Sequence, residues 1–195
     1  ISKSVQQNMS YKDKLYGIPN GTDGRVIYFN KKLFAQAGLP ADWQPTSWAD
    51  ILSAGAALKK ISGVNPIQIN AGTPMGEATT AQGFLPLLAG TGKPLFDESS
   101  GKWQGATQGV TDVLDFYKKI YGGKLGDPNL QQDKAGRDES FADFSKGKIG
   151  ILVEGDYFWR SIICPDKAVC NTTAMADRDS VVGYAKIPAE KPGMG

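Results

Sequence analysis

The side chains that could do chemistry in this sequence are an uneven selection. Histidine is absent. That removes the commonest general base and metal ligand, and with it His-dependent triads and most zinc sites. The two cysteines, Cys164 and Cys170, cannot make a structural zinc site alone. With Pro165 and Asp166 between them favouring a turn, they suit a small disulfide loop in an exported protein, or stand as two free thiols. Paired carboxylates could hydrolyse a glycosidic bond. The candidates are Asp23, Glu77, Asp138, Glu139, Glu154 and Asp156, but nothing in their spacing fixes two of them on one cleft.

Two further motifs weaken on inspection. The run DPNLQQDKAGRD (127–138) has oxygen side chains at calcium-loop spacing. Its sixth position is Gln132 where a loop needs glycine, and its twelfth is Asp138 in place of glutamate, so an ordinary surface loop is expected. The run GTDGR (21–25) lacks the Gly-Lys-Ser/Thr ending of a phosphate loop. No cofactor is expected. The charges, 22 basic and 20 acidic, give a net +2 and are interspersed. No basic stripe points to nucleic acid and no cationic amphipathic helix to a membrane surface.

The elements that must position such residues alternate between strand and helix. Strands are expected at LYGIP (15–19), RVIYFN (25–30), IQIN (67–70), KIGILVE (148–154) and VVGYAKI (181–187). The loop NGTDG (20–24) separates the first two. A short helix over 31–37 should close at Gly38. A second should begin at Thr46 or Ser47 with Asp50 in its first turn. Thr79–Ala89 predicts a buried helix disturbed at Pro86, 93–103 a small hairpin, and Val110–Tyr121 an amphipathic helix ending at Gly122 and Gly123. A helix over 138–146 carries Phe141 and Phe144 inward, and another starts at Gly155 with Asp156 as its cap. With 195 residues, 41% hydrophobic, the chain can bury a sizeable core. The expected class is α/β.

Four blocks, in order, carry a resemblance. They are DKLYGIPNGTDGRVIYFNKKLFAQAGL (13–39) with PTSWADILSAGAALKK (45–60), then GFLPLLAGTG (83–92), FADFSKGKIGILVEGDYFWRSI (141–162) and VVGYAKIPAEKPG (181–193). Together they resemble bacterial extracellular solute-binding proteins of the maltose-binding-protein-like kind. The resemblance implies an α/β lobe of type II periplasmic-binding-protein fold, a mixed sheet flanked by helices. It implies the second lobe alone, 1–195, with 13–30 and 181–195 crossing between lobes; the opening ISKSVQQNMSYKD reads as mid-protein sequence. It further implies a monomeric, extracytoplasmic protein, periplasmic or lipid-anchored in full length. Such a protein would deliver a sugar to ABC permease subunits and be no enzyme. A carbohydrate-active enzyme or ancillary sugar-binding module is the competing reading, and a sensor domain on the same fold a third.

The resemblance also places the ligand-binding residues at three loops. Asp23 and Arg25 follow from the NGTDG loop. Glu77, Thr79 and Thr80 follow from GEATT (76–80). Asp156, Tyr157 and Trp159 follow from EGDYFWRS (154–161). Tyr157 stands where tryptophan is common, and tyrosine also offers a stacking face. Carboxylates and guanidinium forks give directional bonds to hydroxyls. Phe158 is expected in the core. Each of the others has an ordinary alternative: a turn-forming Asp23, an N-capping 76–80, a buried Trp159.

Overall fold

The computed structural model describes residues 2–19, 21 and 23–194. Of the expected loop 20–24, Asn20 and Thr22 lie outside the described residues. The chain opens with α1 (Lys3–Asn8) and a small hairpin of β1 (Ser10–Tyr11) and β2 (Lys14–Leu15). Then come β3 (Arg25–Asn30), α2 (Lys31–Gln36), α3 (Trp48–Leu58) and β4 (Asn65–Gln68). A 3-10 turn (Thr73–Met75) and a π-helical segment (Ala78–Phe84) run into α4 (Leu85–Ala89). A second hairpin, β5 (Phe96–Asp97) and β6 (Lys102–Trp103), leads to α5 (Gln108–Gly122), α6 (Pro128–Gln132) and α7 (Gly136–Ser145). The chain continues through β7 (Ile149–Gly155), α8 (Tyr157–Ser161), α9 (Lys167–Cys170), a 3-10 turn (Asn171–Thr173), α10 (Arg178–Val181) and β8 (Val182–Lys186).

Four strands form one mixed sheet in the order β4-β7-β3-β8. β4 runs parallel to β7, while β3 is antiparallel to both β7 and β8. Alternation along each strand sends neighbouring side chains to opposite faces. Ile27, Phe29, Ile151 and Val153 pack with Phe34, Ile51, Leu58, Phe116 and Ile120 of α2, α3 and α5. Tyr28, Leu152 and Val182 pack on the other face with Phe141 and Phe144 of α7 and Phe158 of α8. Both faces of the sheet are therefore covered, as the hydrophobic runs in β3 and β7 require.

Local chemistry sets the boundaries. Ser47 accepts from the Asp50 amide while the Asp50 carboxylate accepts from the Ser47 amide, a capping box that starts α3. After α2 and α7, Gly38 and Gly147 take φ near +72°, and the following amides reach back to Phe34 and Asp143. Both are Schellman closures, which glycine makes without a Cβ penalty. The disturbance expected at Pro86 appears as the change from π-helix to α-helix, with Pro86 in the first turn of α4 where its missing N–H costs least.

Two expectations are corrected. LYGIP is no strand beyond Leu15: residues 16–19 pair with no strand, and Tyr16 and Ile18 are exposed. Asp156 does not cap α8 through its side chain. Its backbone is already helical, whereas a capping residue needs an extended one to aim its oxygen at the first turn. α5 ends at Gly122 with Gly123 as its C-cap, as expected, and Lys124 follows at φ +56°. No helix among the described residues is long and apolar enough to cross a membrane.

Candidate functional site

The carboxyl ends of the two parallel strands, β4 and β7, lie at the same end of the sheet. In open α/β sheets that is where ligands bind. Antiparallel pairing brings the start of β3 there as well, with Arg25 opposite Gly155. Val26 lies opposite Lys186, so the chain enters β3 and leaves β8 side by side at this same end.

Four of the eight expected residues meet there. The Arg25 guanidinium lies 2.8 Å from the Asp23 carboxylate. The Asp156 amide donates to the Gly24 carbonyl at 2.9 Å, so the β7–α8 turn is tied to the loop before β3. The Asp156 side chain remains exposed. Arg25 Nε is buried and has no hydrogen-bond acceptor among the described residues. A Cβ on Gly155 would fall 2.3 Å from the Tyr157 ring and 3.1 Å from an Arg25 nitrogen. Only glycine lets both side chains close over this point.

Beneath Tyr157 lies a polar network that the sequence reading missed. Glu154 is 1% exposed. Arg137 of α7 grips it at both oxygens, Nε to Oε2 and Nη2 to Oε1, each at 3.0 Å. The Gly155 amide and the Tyr157 hydroxyl also donate to Oε1, at 2.8 and 2.7 Å. Arg137 Nη2 donates further to the Gln82 side-chain oxygen at 2.7 Å and contacts the Tyr157 hydroxyl. A buried carboxylate is tolerated only with such partners. Burial, with the bond and charge of Glu154, pushes the Tyr157 phenol well above its ordinary pKa. Burial opposes the Arg137 charge, but Glu154 outweighs it and the guanidinium pKa rises. Tyr28 donates to the Gly155 carbonyl at 3.2 Å, and burial pushes its phenol to about 12. One signal for this network was legible: an acidic residue closing the apolar run KIGILVE demands a cation. Which cation, 17 residues upstream on α7, was not.

The GEATT residues lead into the segment that carries Gln82, but none of them hydrogen-bonds into the network among the described residues. The Thr79 hydroxyl donates to the Gly72 carbonyl at 2.5 Å, holding the turn after β4. Glu77 and Thr80 are exposed. Trp159 turns to another partner: Arg178 lies 4.0 Å over its ring and donates to its carbonyl at 2.8 Å. Phe158 is fully buried, as expected. Cys164 and Cys170 form a disulfide. In the 127–138 run, Asp127 and Asp133 accept from the amides of Asn129 and Ala135, capping α6 and making a turn. No cluster of three or more His, Cys, Asp or Glu residues suited to a metal ion occurs among the described residues.

Polar forks and a tyrosine surround this open sheet end, and no metal cluster accompanies them among the described residues. Residues 2–195 match the bacterial extracellular solute-binding proteins, and the chain belongs to that family. It is 31% identical over 158 residues to a mannitol-binding protein of Pseudomonas aeruginosa, covering 77% of this chain and 33% of that protein. An ABC transporter solute-binding protein from Thermotoga lettingae, solved with α-D-tagatose, superposes with a TM-score of 0.74 at 21% identity, covering 98% of this chain and 46% of that one. One from Agrobacterium vitis, solved with D-mannitol, gives 0.66 at 21%, covering 97% and 42%. The fold is thus the type II periplasmic-binding-protein-like one, a mixed sheet flanked by helices. The chain spans under half the length of these proteins.

Proposed function

We propose that this chain is the second lobe of a two-lobe solute-binding protein that captures a neutral sugar or polyol and hands it to an ABC importer. The observation that carries the reading is the coincidence at one end of the sheet. There the Asp23–Arg25 pair, Asp156 and Tyr157 sit beside the points where the chain enters β3 and leaves β8. Segments 13–30 and 181–195 are then the interlobe crossings, and the other lobe faces this surface across a cleft that closes about a hinge.

Asp23 and Asp156 accept hydrogen bonds from solute hydroxyls, Arg25 donates, and Tyr157 supplies an apolar face with a fixed phenol. Glu77, Thr79 and Thr80 add polar contacts from the segment that follows β4, and Trp159 a second ring. No bond is made or broken, so the protein is no enzyme. It works as an extracytoplasmic monomer, periplasmic or lipid-anchored, and its partners are permease subunits. One lobe offers half a cleft, so residues 1–195 bind sugar weakly or not at all.

Calorimetry tests this with D-mannitol, D-tagatose and maltose, on the full-length protein and on residues 1–195. Tight binding by the full-length protein and weak binding by the lobe are expected. Tight binding by residues 1–195 refutes the half-site. Turnover of aryl glycosides that Asp23→Asn or Asp156→Asn abolishes refutes the transport reading.

A further inference from the structure

The Arg137–Glu154 pair is more than the reading above requires. A carboxylate buried among apolar strands costs stability, and an apolar pair of the same volume would serve the core as well or better. Here the pair joins three separate elements at one point: Gln82 of the π-helical segment, Arg137 of α7, and Glu154 with Tyr157 around the end of β7. The fork geometry fixes the plane of the guanidinium, because Nε and Nη2 are both committed to Glu154.

The remaining nitrogen is the informative one. Among the described residues, Nη1 of Arg137 has no hydrogen-bond partner, while Nε and Nη2 hold all of the side chain's bonds. The side chain is 27% exposed, although Glu154 beneath it is closed to water. That leaves a rigidly aimed charged donor at the surface, beside the Tyr157 ring. At this end of the sheet Asp23 pairs with Arg25 and Glu154 with Arg137. The exposed Asp156 adds a third carboxylate, with no cation paired to it among the described residues, so carboxylates outnumber guanidiniums three to two. The excess negative charge suits an uncharged solute oxygen better than an anionic one.

We propose that Arg137 is a ligand-contacting residue of this lobe, donating from Nη1 to a hydroxyl or ring oxygen of a neutral polyhydroxylated solute, with Glu154 and Gln82 as the residues that orient it. The assignment rests on the sugar-binding reading and names the donor that reading lacks. Arg137 fixes which oxygen of the solute lies next to Tyr157, so it contributes to specificity as well as affinity.

The test separates contact from scaffolding. In the full-length protein, Arg137→Met alone strands a buried carboxylate and can unfold it, so the decisive variant is Arg137→Met with Glu154→Gln. This double removes both charges together and keeps an acceptor for Gly155 and Tyr157. Binding of D-mannitol, D-tagatose and maltose is measured by calorimetry beside the melting temperature, with Arg137→Lys as the conservative variant. The expected result is a double variant that melts near the wild type yet binds at least tenfold more weakly. Arg137→Lys should be weakened as well, since lysine keeps the charge but not the fork. Wild-type affinity in a well-folded double variant overturns the assignment, as does a double variant that cannot fold while Arg137→Lys binds normally. Absence of binding to all three solutes by the wild type overturns the sugar reading itself, and this assignment with it.

Discussion

Two stretches near the carboxyl end of the sheet are built on opposite plans. Residues 154–157 are tied at every point: Glu154 by Arg137, the Gly155 amide by Glu154, the Asp156 amide by Gly24, and the Tyr157 hydroxyl by Glu154. Residues 76–80 have local backbone bonds and, among the described residues, a single side-chain tie, Thr79 to Gly72, and leave Glu77 and Thr80 exposed. The first stretch pays its ordering cost during folding and presents fixed donors and acceptors. The second must order its side chains when a partner arrives, which subtracts from affinity. In the proposed site, the tied stretch would set geometry and the free one would adjust to it.

Breaking the tied stretch should cost most. Arg137→Met removes the counterion of a carboxylate closed to water, and the expected loss is about 3 kcal/mol of unfolding free energy, read from urea denaturation. A neutral result would mean that Glu154 does not need its partner, and the contrast between the stretches would collapse. Gly155→Ala is the next largest. Its methyl would stand 2.3 Å from the Tyr157 ring, so the ring must move, at about 1–2 kcal/mol by the usual cost of overpacking. Tyrosine displaced this way should also lose sugar affinity in the full-length protein, which calorimetry would record.

The tied stretch also sets a limit at high pH. Burial raises the phenols of Tyr28 and Tyr157 above their ordinary value of 10, Tyr28 to about 12. The unfolded chain then loses these protons before the folded one does. Stability present below pH 10 therefore falls as pH climbs from 10 toward 12. Denaturant midpoints at pH 9 and pH 11 should show the drop, and Tyr157→Phe should make it shallower. An unchanged slope in that variant would mean that Tyr157 ionises as freely folded as unfolded.

The same contrast explains what the sequence revealed. Signals confined to a few neighbouring residues were legible: Ser47 with Asp50 at the start of α3, Gly38 at the end of α2, Phe158 inside. The four family-like blocks located three of the four sheet strands, β3, β7 and β8. The stretch LYGIP reads as a strand by residue type, yet β-propensity reflects packing on a pleated, half-covered surface, and Tyr16 and Ile18 have no such neighbours here. Asp156 has a capping side chain but a helical backbone, a distinction residue type does not carry. Arg137 stayed hidden because its partner lies 17 residues away, on a strand that α7 meets only in the packed fold. Trp159 could be recognised as aromatic but not as the neighbour of Arg178.

The smallest effects belong to the free stretch, and they decide whether it takes part in binding. Glu77→Ala and Thr80→Ala touch exposed side chains, so each should change stability by less than about 0.5 kcal/mol. If the two residues adjust to a bound solute, the same changes should weaken sugar binding by the full-length protein several-fold, with the melting temperature unmoved. Thr79→Val, which removes the bond to Gly72 together with the proposed solute contact, should lower both the melting temperature and the affinity. Wild-type affinity in both Glu77→Ala and Thr80→Ala would remove the segment from the site. Recognition by this lobe would then rest on the fixed residues at the ends of β3 and β7.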